Sequence, residues 1–311
     1  MVIKASSGLS DEEINKMIKD AEINAENDKK FDELVTIKNR ADSEIHLAQK
    51  AIESIGEKID LNDKKEIENL IKELKDHDLS FYEPGDELPR VNGFDWVIHL
   101  GAITSTTETN VELVMEHNYD FSRWLANECL RHKVNFQYSS SASIYGLKSE
   151  FNESSPADPR SPYAWSKFLF DRYITHMAGN WPIKVQGFRY FNVYGPHEEH
   201  KGDQASPYHK FECQAKETGV IKLFEGSENY YRDFISVETV CKIHRHFLGV
   251  PDTGIWNVGT GRATSFESVA RMIADRHGAK IQYIPMPENL KHQYQTYTCA
   301  DVKLLRSYYN I

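Results

Sequence analysis

Apolar residues recur at helical spacing through the first 78 residues of this 311-residue chain. Met17 and Ile18 follow Ile14 by three and four positions, which places both beside it on one face of a helix. Ser10 can cap the start of that helix, because Glu13 three residues later completes a capping box. Further helices are predicted over residues 42–55 and 63–75.

From residue 94 onward, short apolar runs alternate with longer amphipathic stretches. Such alternation predicts a parallel sheet with crossover helices, and therefore an α/β, Rossmann-like, doubly wound fold. Strands are predicted at residues 96–100, 135–139, 185–190 and 255–258. Helices are predicted at residues 111–132, 163–177 and 234–247.

The composition of the chain changes between these two regions. Residues 1–78 contain 20 acidic and 13 basic side chains, and Phe31 is their only aromatic residue. So few large apolar groups cannot build much core, which indicates a separate α-helical segment. The sequence therefore predicts a helical segment at 1–78, a junction at 79–93 and an α/β domain at 94–311.

Overall composition narrows the class of protein. The chain is 40% hydrophobic and 27% charged, as in globular proteins, and it has no apolar run of about 18 residues. The four cysteines form no C-x-x-C pair and the chain opens with no secretory signal, which favours reduced thiols in the cytoplasm. The net charge of −10 argues against a nucleic-acid polymer or an anionic membrane as partner. No metal site is expected.

The motif with most chemical meaning is Y-x-x-x-K at Tyr163 and Lys167. Positions i and i+4 share a helix face, so the Lys167 ammonium should lie beside the Tyr163 phenol and lower its pKa. A tyrosine tuned in this way can exchange a proton with a sugar hydroxyl during hydride transfer. Ser141, upstream at the end of a predicted strand, can hydrogen-bond the same hydroxyl.

The strings around this motif resemble the extended short-chain dehydrogenase/reductase family, which contains the NAD-dependent epimerases and dehydratases. They are S-S-S-A-S-I-Y-G at 139–146, H-L-G-A-I-T-S-T-T-E at 99–108, S-K-F-L-F-D at 166–171, G-F-R-Y-F-N-V-Y-G-P at 187–196, H-K-G-D-Q-A-S at 200–206, L-F-E-G-S-E-N at 223–229 and N-V-G-T-G-R-A-x-S-F at 257–266. Within that family they are most similar to the epimerases of ADP-heptoses, and the likeness runs from about residue 94 to 309.

The resemblance implies an isomerase that inverts C6 of an ADP-heptose by transient oxidation with bound NADP, or with NAD. Such an enzyme supplies precursors of the lipopolysaccharide core. The resemblance also allows this chain to form a homo-oligomer of the family's type. Tyr163 and Lys201 would be two acid/bases on opposite faces of the sugar carbon. Lys167 would hold the nicotinamide ribose, and Ser141 would bond the reacting oxygen.

The resemblance also implies two binding surfaces. The cofactor would be lined, together with Lys167, by Leu100, Gly101, Ala102, Ile103, Thr104, Asn118 and Val193. The ADP-sugar would be held, together with Ser141, by Asn192, Phe224, Glu225, Gly226, Ser227, Arg232 and Tyr294. A smaller substrate lobe would be built from residues 196–233 and 262–309.

The chain departs from the family pattern in its first part. The family opens with a strand and a G-x-x-G-x-x-G turn, whose glycines let the backbone approach the cofactor's pyrophosphate. No such turn occurs in this sequence. Residues 2–78 instead resemble the lid of a DnaK-type chaperone, beginning with V-I-K-A-S-S-G-L-S-D-E-E at 2–13. The sequence thus predicts a chimera with a truncated sheet and weak cofactor binding.

Two other interpretations are left open. The chain could derive from a UDP-hexose 4-epimerase or dehydratase. Two features favour an ADP-heptose epimerase over this alternative: Lys201 in H-K-G and the F-E-G-S string at 224–227. It could also be a non-catalytic chimera, in which a chaperone-derived helical interaction module is attached to an inactive scaffold. The missing phosphate-binding turn favours this last interpretation.

Overall fold

The computed structural model describes residues 90–286 and 295–311. The chain divides into two compact units, Met1–Phe81 and Tyr82–Ile311, and every described residue belongs to the second. The helices predicted within residues 1–78, and all but the last four residues of the junction at 79–93, lie outside the described residues. In the part that is described, no helix is long and apolar enough to cross a membrane.

Strands and helices alternate along the described chain. The strands are β1 (Trp96–His99), β2 (Asn135–Ser141), β3 (Val185–Tyr190), β4 (Asn192–Tyr194), β5 (Val220–Phe224), β6 (Tyr231–Ser236), β7 (Gly254–Val258), β8 (Ala263–Ser265) and β9 (Lys280–Ile284). The α-helices are α1 (Val111–Met115), α2 (Phe121–His132), α3 (Pro162–Met177), α4 (Pro207–Thr218), α5 (Val237–Phe247), α6 (Phe266–His277) and α7 (Lys303–Arg306). A π-helical turn, Glu116–Asp120, joins α1 to α2.

The main sheet has four parallel strands in the order β1-β2-β3-β7. The inner strands β2 and β3 are buried along almost their whole length, as expected where helices cover both faces of a parallel sheet. The predicted α/β, Rossmann-like fold is confirmed. The carboxyl ends of the four strands meet at one edge, which is where such sheets bind ligands.

Side chains alternate between the two faces of the main sheet. Tyr138 of β2 packs against Phe170 of α3, with ring centroids 4.8 Å apart, in a cluster that also includes α2. On the other face, Phe188 of β3 packs against Phe247 of α5, with centroids 5.1 Å apart. Helices therefore lie on both faces, and the sheet is doubly wound.

A second, smaller core lies in the predicted substrate lobe. Strands β5 and β9 pair in parallel, and α4 and α6 cover them with Phe211, Ile221 and Ile273 in the interior. The prediction placed residues 262–309 in this lobe as well. The end of that range, including Ala300 and Leu305, instead packs into the core of the main sheet beside α5.

The helix predicted at residues 234–247 starts too early. Residues Tyr231–Ser236 form β6, which pairs with β4 and with β8, and the helix begins at Val237. The reason is the cap: the Ser236 side chain accepts a hydrogen bond from the backbone N–H of Thr239. The predicted helix over residues 111–132 is present, with a π turn in its middle.

Candidate active site

Helix α3 brings Tyr163 and Lys167 to the carboxyl edge of the main sheet. Ser161 caps the helix by accepting from the backbone N–H of Ala164 at 3.2 Å, and Pro162 supplies the fixed φ that favours a first helical position. Tyr163 is therefore in the first turn and Lys167 in the second. The Lys167 ammonium lies 5.9 Å from the centroid of the Tyr163 ring.

Lys167 is almost fully buried, with 4% of its surface exposed. Its Nζ donates to the backbone oxygen of Ser139 at 2.9 Å and to the Ser139 hydroxyl at 3.3 Å. Burial lowers the pKa of Lys167 to about 8, and the negative charge of Asp171 opposes that shift. An ammonium has three N–H groups, so one remains for a ligand hydroxyl.

The side chain of Ser141, the last residue of β2, lies near the Tyr163 hydroxyl. Burial raises the pKa of Tyr163 above its ordinary value, and the nearby Ser141 hydroxyl opposes the rise. The Y-x-x-x-K spacing predicted that Lys167 would lower this pKa. The direction is opposite because desolvation of the phenolate by burial has the larger effect.

Asn118 ties the loop after β1 to helix α3. Its Oδ1 accepts from the backbone N–H of Ile103 at 2.8 Å, and its Nδ2 donates to the Ile103 oxygen at 2.9 Å and to the Ser166 hydroxyl at 3.2 Å. The Ser166 hydroxyl in turn donates to the backbone oxygen of Tyr163 at 2.8 Å. Both N–H groups of the Asn118 amide are thus committed to protein, and the residue is 1% exposed. We conclude that Asn118 positions the predicted cofactor loop.

The loop itself, residues 100–104, presents a partly open surface. Leu100 is 54% exposed, and its backbone oxygen accepts from the Ser139 hydroxyl at 3.5 Å. Gly101 has no atom within 4 Å of the place where a Cβ would lie, so a ligand can approach its backbone closely. Ala102 and Ile103 are half-buried and Thr104 is exposed.

Lys201 lies in a different structural setting. It belongs to the 3-10 turn Glu199–Gln204, and its side chain is 42% exposed. Within the described residues it makes no hydrogen bond to the predicted catalytic residues of α3 and β2. Its Nζ lies 3.7 Å from a carboxylate oxygen of Glu198.

Glu198 holds the segment that carries Lys201. The residue is 3% exposed, and its carboxylate accepts from the Gly195 backbone N–H at 3.0 Å and from the Ser206 backbone N–H and hydroxyl, each at 2.7 Å. Its burial raises the pKa of the carboxyl group, but the bonds from Ser206 and Gly195 outweigh this and leave the pKa below its ordinary value. Motif spacing did not indicate this role, although Glu198 precedes Lys201 by only three positions.

The predicted substrate residues 224–227 form the turn that follows β5. Phe224 ends the strand and Glu225 is exposed, while Gly226 adopts φ +82°, which favours glycine. Ser227 is 1% exposed, and its hydroxyl has no hydrogen-bond partner among the described residues. A buried hydroxyl without a partner is a candidate for contact with a ligand.

Two predicted substrate residues, Asn192 and Arg232, lie in β4 and β6. Asn192 is half-buried in β4, as is Val193, which was predicted to line the cofactor. Arg232 in β6 donates to the Tyr231 oxygen at 2.8 Å, and its guanidinium lies 5.3 Å from the Phe266 ring centroid. Tyr294 lies outside the described residues.

A buried ion pair beneath the site was not predicted from the sequence. Asp171, one turn beyond Lys167, accepts from Arg189 of β3 at 2.8 Å and from the Tyr138 hydroxyl at 3.0 Å. Gly187 makes room for this arrangement, because a Cβ there would lie 2.4 Å from the Tyr138 ring. The only available signal was that Asp171 follows Lys167 by four positions and so shares its helix face.

Three comparisons with known proteins agree with this geometry. A model of the NAD dependent epimerase/dehydratase family matches residues 23–259. An ADP-L-glycero-D-manno-heptose-6-epimerase from Alkalilimnicola ehrlichii is 42% identical over 219 residues, which cover 68% of this chain and 68% of that protein. The matched range of the family model begins inside the segment for which a chaperone origin was predicted.

Solved structures of nucleotide-sugar epimerases share the fold. The ADP-L-glycero-D-manno-heptose-6-epimerase of Helicobacter pylori has a TM-score of 0.63 and 29% identity, and the match covers 70% of this chain and 68% of that one. The UDP-glucose 4-epimerase of Thermus thermophilus, solved with NAD, has a TM-score of 0.58 and 26% identity, over 69% of this chain and 71% of that one.

Proposed function

Because the chain belongs to the NAD-dependent epimerase/dehydratase family, we propose that it inverts C6 of an ADP-heptose. The reaction would convert ADP-D-glycero-D-manno-heptose to its L-glycero epimer. The observation that carries the proposal is the cluster of Tyr163, Ser141 and Lys167 at the carboxyl edge of the sheet. The relative from Alkalilimnicola ehrlichii, whose name includes this substrate, supports an ADP-heptose.

Tyr163 is the first acid/base of the proposed reaction. Its hydroxyl lies near Ser141, so the two groups can contact one sugar hydroxyl together. Tyr163 would accept the proton of that hydroxyl when one epimer is oxidised, or supply a proton to the oxygen when reduction forms that same epimer. Its raised pKa keeps the phenol protonated when the site is empty of ligand, so transfer would need a nearby positive charge.

Lys201 is the second acid/base. Inversion requires a proton donor on each face of the carbon, and Tyr163 can serve only one. Lys201 is partly exposed on a turn held by Glu198, where its side chain has room to reach a bound sugar. The reach of Lys201 to the same carbon as Tyr163 is part of the proposal.

A nicotinamide cofactor, NADP or NAD, would exchange hydride with C6. The residues present fit such a group. Lys167 keeps one N–H for a ribose hydroxyl, and Asn118 anchors the loop at 100–104, which has a glycine with open space around it. We propose weak binding, because the sequence has no glycine-rich turn for the pyrophosphate. Cofactor that copurifies tightly and in stoichiometric amount would contradict weak binding.

The ADP-sugar would contact the turn at 224–227, Asn192, Arg232 and Tyr294. Arg232 can match a diphosphate with two parallel hydrogen bonds, which a lysine could not do. The buried hydroxyl of Ser227 supports the same placement, since it has no partner among the described residues. The product would serve lipopolysaccharide core synthesis in the cytoplasm.

The division of the chain and the origin of its first part are also proposals. We keep 1–78 as a helical segment, 79–93 as a junction and 94–311 as the epimerase domain, with a chaperone-like source for residues 2–78. The family model matches from residue 23 onward, which favours an epimerase origin for most of that segment. Proteolysis tests the division: release of a stable fragment that begins between residues 79 and 93 supports it.

The experiment that tests the function compares two substrates. The purified full chain, with NADP in excess, is incubated with ADP-D-glycero-D-manno-heptose or with UDP-galactose, and products are identified by proton NMR. Epimerisation of the ADP-heptose alone supports the proposal. Turnover of UDP-galactose alone would favour the UDP-hexose 4-epimerase interpretation, and no turnover with cofactor bound would favour the non-catalytic one.

A further inference from the structure

A chain of four buried or half-buried polar side chains leads from the interior of the main sheet to its ligand edge. It runs from Gln186 in β3 to Gln137 in β2, then to His244 in α5, and ends at Tyr190 at the carboxyl end of β3. Both glutamines are fully buried and His244 is 7% exposed. The motifs that indicated the proposed function include neither His244 nor the two glutamines.

The orientation of the Gln186 amide is fixed by three backbone carbonyls. Its Nε2 lies 3.1 Å from the oxygens of Phe247 and Val250 and 3.3 Å from the oxygen of Asp252. A flipped amide would place an oxygen against three carbonyl oxygens in the buried interior. Nε2 is therefore the donor, and the Oε1 of Gln186 accepts from its other neighbour, Gln137.

The same reasoning fixes Gln137 and then His244. The Nε2 of Gln137 lies 2.9 Å from the Oε1 of Gln186 and 3.2 Å from the backbone oxygen of His244, so it must donate to both. This leaves the Oε1 of Gln137 facing the Nδ1 of His244 at 2.7 Å. An amide oxygen only accepts, so Nδ1 carries a proton.

His244 carries no second ring proton at neutral pH. Its ring is enclosed by Gln137 and Tyr190, which are uncharged, and by the Phe188 ring at a centroid distance of 4.6 Å. Burial lowers the pKa of His244 to about 4. With Nδ1 protonated and the ring neutral, Nε2 holds a lone pair and accepts the hydroxyl proton of Tyr190.

Tyr190 is the last residue of β3, at the ligand edge of the sheet. It is half-buried, and Ser141, which lies near the Tyr163 hydroxyl, is its register partner on the neighbouring strand. Register partners on adjacent strands point to the same face of a sheet. A hydroxyl has one proton, so a Tyr190 hydroxyl that donates to His244 has only lone pairs left for a ligand.

We propose that His244 is a positioning residue that fixes the Tyr190 hydroxyl as a hydrogen-bond acceptor, so that the ligand beside Tyr163 must supply an N–H or O–H donor there. The donor could be the carboxamide of a nicotinamide cofactor or a hydroxyl of the sugar. This ligand half of the proposal rests on the proposed function. The proton arrangement of the four side chains does not.

The proton arrangement is tested by NMR of the full chain labelled with nitrogen-15 histidine. His244→Phe assigns the His244 signals by their loss, and His246→Asn, an exposed histidine on the same helix, is the matched control. We expect Nδ1 of His244 to carry a proton and Nε2 to show the shift of an unprotonated ring nitrogen. We also expect Gln137→Leu, which removes the acceptor at Nδ1, to move the proton toward Nε2. A protonated Nε2 in the parent chain would overturn the proposal.

The ligand half is tested by titrating the parent and Tyr190→Phe with two probes, NADP and ADP-glucose. Loss of one hydrogen bond should weaken one probe about fivefold. Weakening of NADP identifies the cofactor as the donor, and weakening of ADP-glucose identifies the sugar. His244→Phe should weaken the same probe by a smaller factor, because Tyr190 remains but is no longer oriented. Equal affinity of parent and Tyr190→Phe for both probes would overturn this half. If neither probe binds the parent, the proposed function has failed, and the histidine signals alone decide the proton arrangement.

Discussion

The two predicted acid/bases are held in contrasting ways. Tyr163 lies on a 16-residue helix, beside a buried lysine that makes two hydrogen bonds to Ser139 of β2. Lys201 lies on a short turn, is 42% exposed, and is held through one carboxylate, that of Glu198. The difference indicates that the sheet edge is built in advance, whereas the proposed second acid/base is positioned by fewer contacts.

The buried pair Asp171–Arg189 should be the largest contributor to the rigidity of the sheet edge. Asp171→Ala leaves the Arg189 guanidinium buried without its counter-ion, which costs about 3–5 kcal/mol in such cases. We expect a loss of this size in the free energy of unfolding, measured with urea. Glu238→Ala, which removes an exposed ion pair with Lys242, is the control and should cause no measurable change. Equal losses in the two variants would contradict the assigned role.

The buried ammonium of Lys167 should lower the free energy of unfolding. Burial lowers its pKa from 10.5 to about 8, so the unfolded chain binds the proton more tightly than the folded chain. Stability therefore rises with pH between those two values. Lys167→Met should raise the free energy of unfolding by about 1–3 kcal/mol at pH 7, and the gain should shrink as the pH approaches 10. A gain that does not depend on pH would argue against this explanation.

Glu198 should matter for the turn and little for the sheet edge. Glu198→Gln keeps one acceptor but places an amide N–H against a donor from Gly195 or Ser206, a loss of about 1–2 kcal/mol. We expect turnover to fall more than NADP affinity, because Lys201 is displaced while Lys167 is not. Glu199→Gln, an exposed neighbour, is the matched control. Equal losses in turnover and NADP affinity would contradict the separation of the two regions.

The smallest expected effect is a pH dependence from the same carboxylate. The pKa of Glu198 is lower in the folded chain than its ordinary value, so its contribution to stability is complete above that ordinary value. It is lost as the pH falls through the lowered pKa. Stability curves between pH 3 and pH 6 should therefore be flatter for Glu198→Gln than for the parent. Parallel curves would show that the carboxylate is not stabilised by its hydrogen bonds.

Local spacing in the sequence predicted the sheet and the Tyr163–Lys167 pair, because period and helix face are properties of neighbouring residues. It failed where the deciding partner is distant. Asp171 meets Arg189 across 18 positions, and His244 meets Tyr190 across 54. The start of α5 was also misplaced, since the apolar residues of β6 run directly into the helix and only the Ser236 cap separates them.

The direction of the pKa shift of Tyr163 was also mispredicted because groups distant in the sequence determine it. Spacing placed an ammonium near the phenol, but only the fold shows that Ser139 holds that ammonium. The fold also shows that burial has the largest effect on the pKa of the Tyr163 phenol. The position of a charged side chain can be inferred from its helix face. The groups that hydrogen-bond to it, such as Ser139 here, lie on distant strands and cannot be inferred in this way.

The role of Tyr163 in proton transfer is tested most directly by Tyr163→Phe, with NADP affinity and the epimerisation of ADP-D-glycero-D-manno-heptose measured on the same preparation. We expect the rate to fall by a factor of about 100 or more while the affinity for NADP changes little. A variant that epimerises at nearly the parent rate would contradict the account.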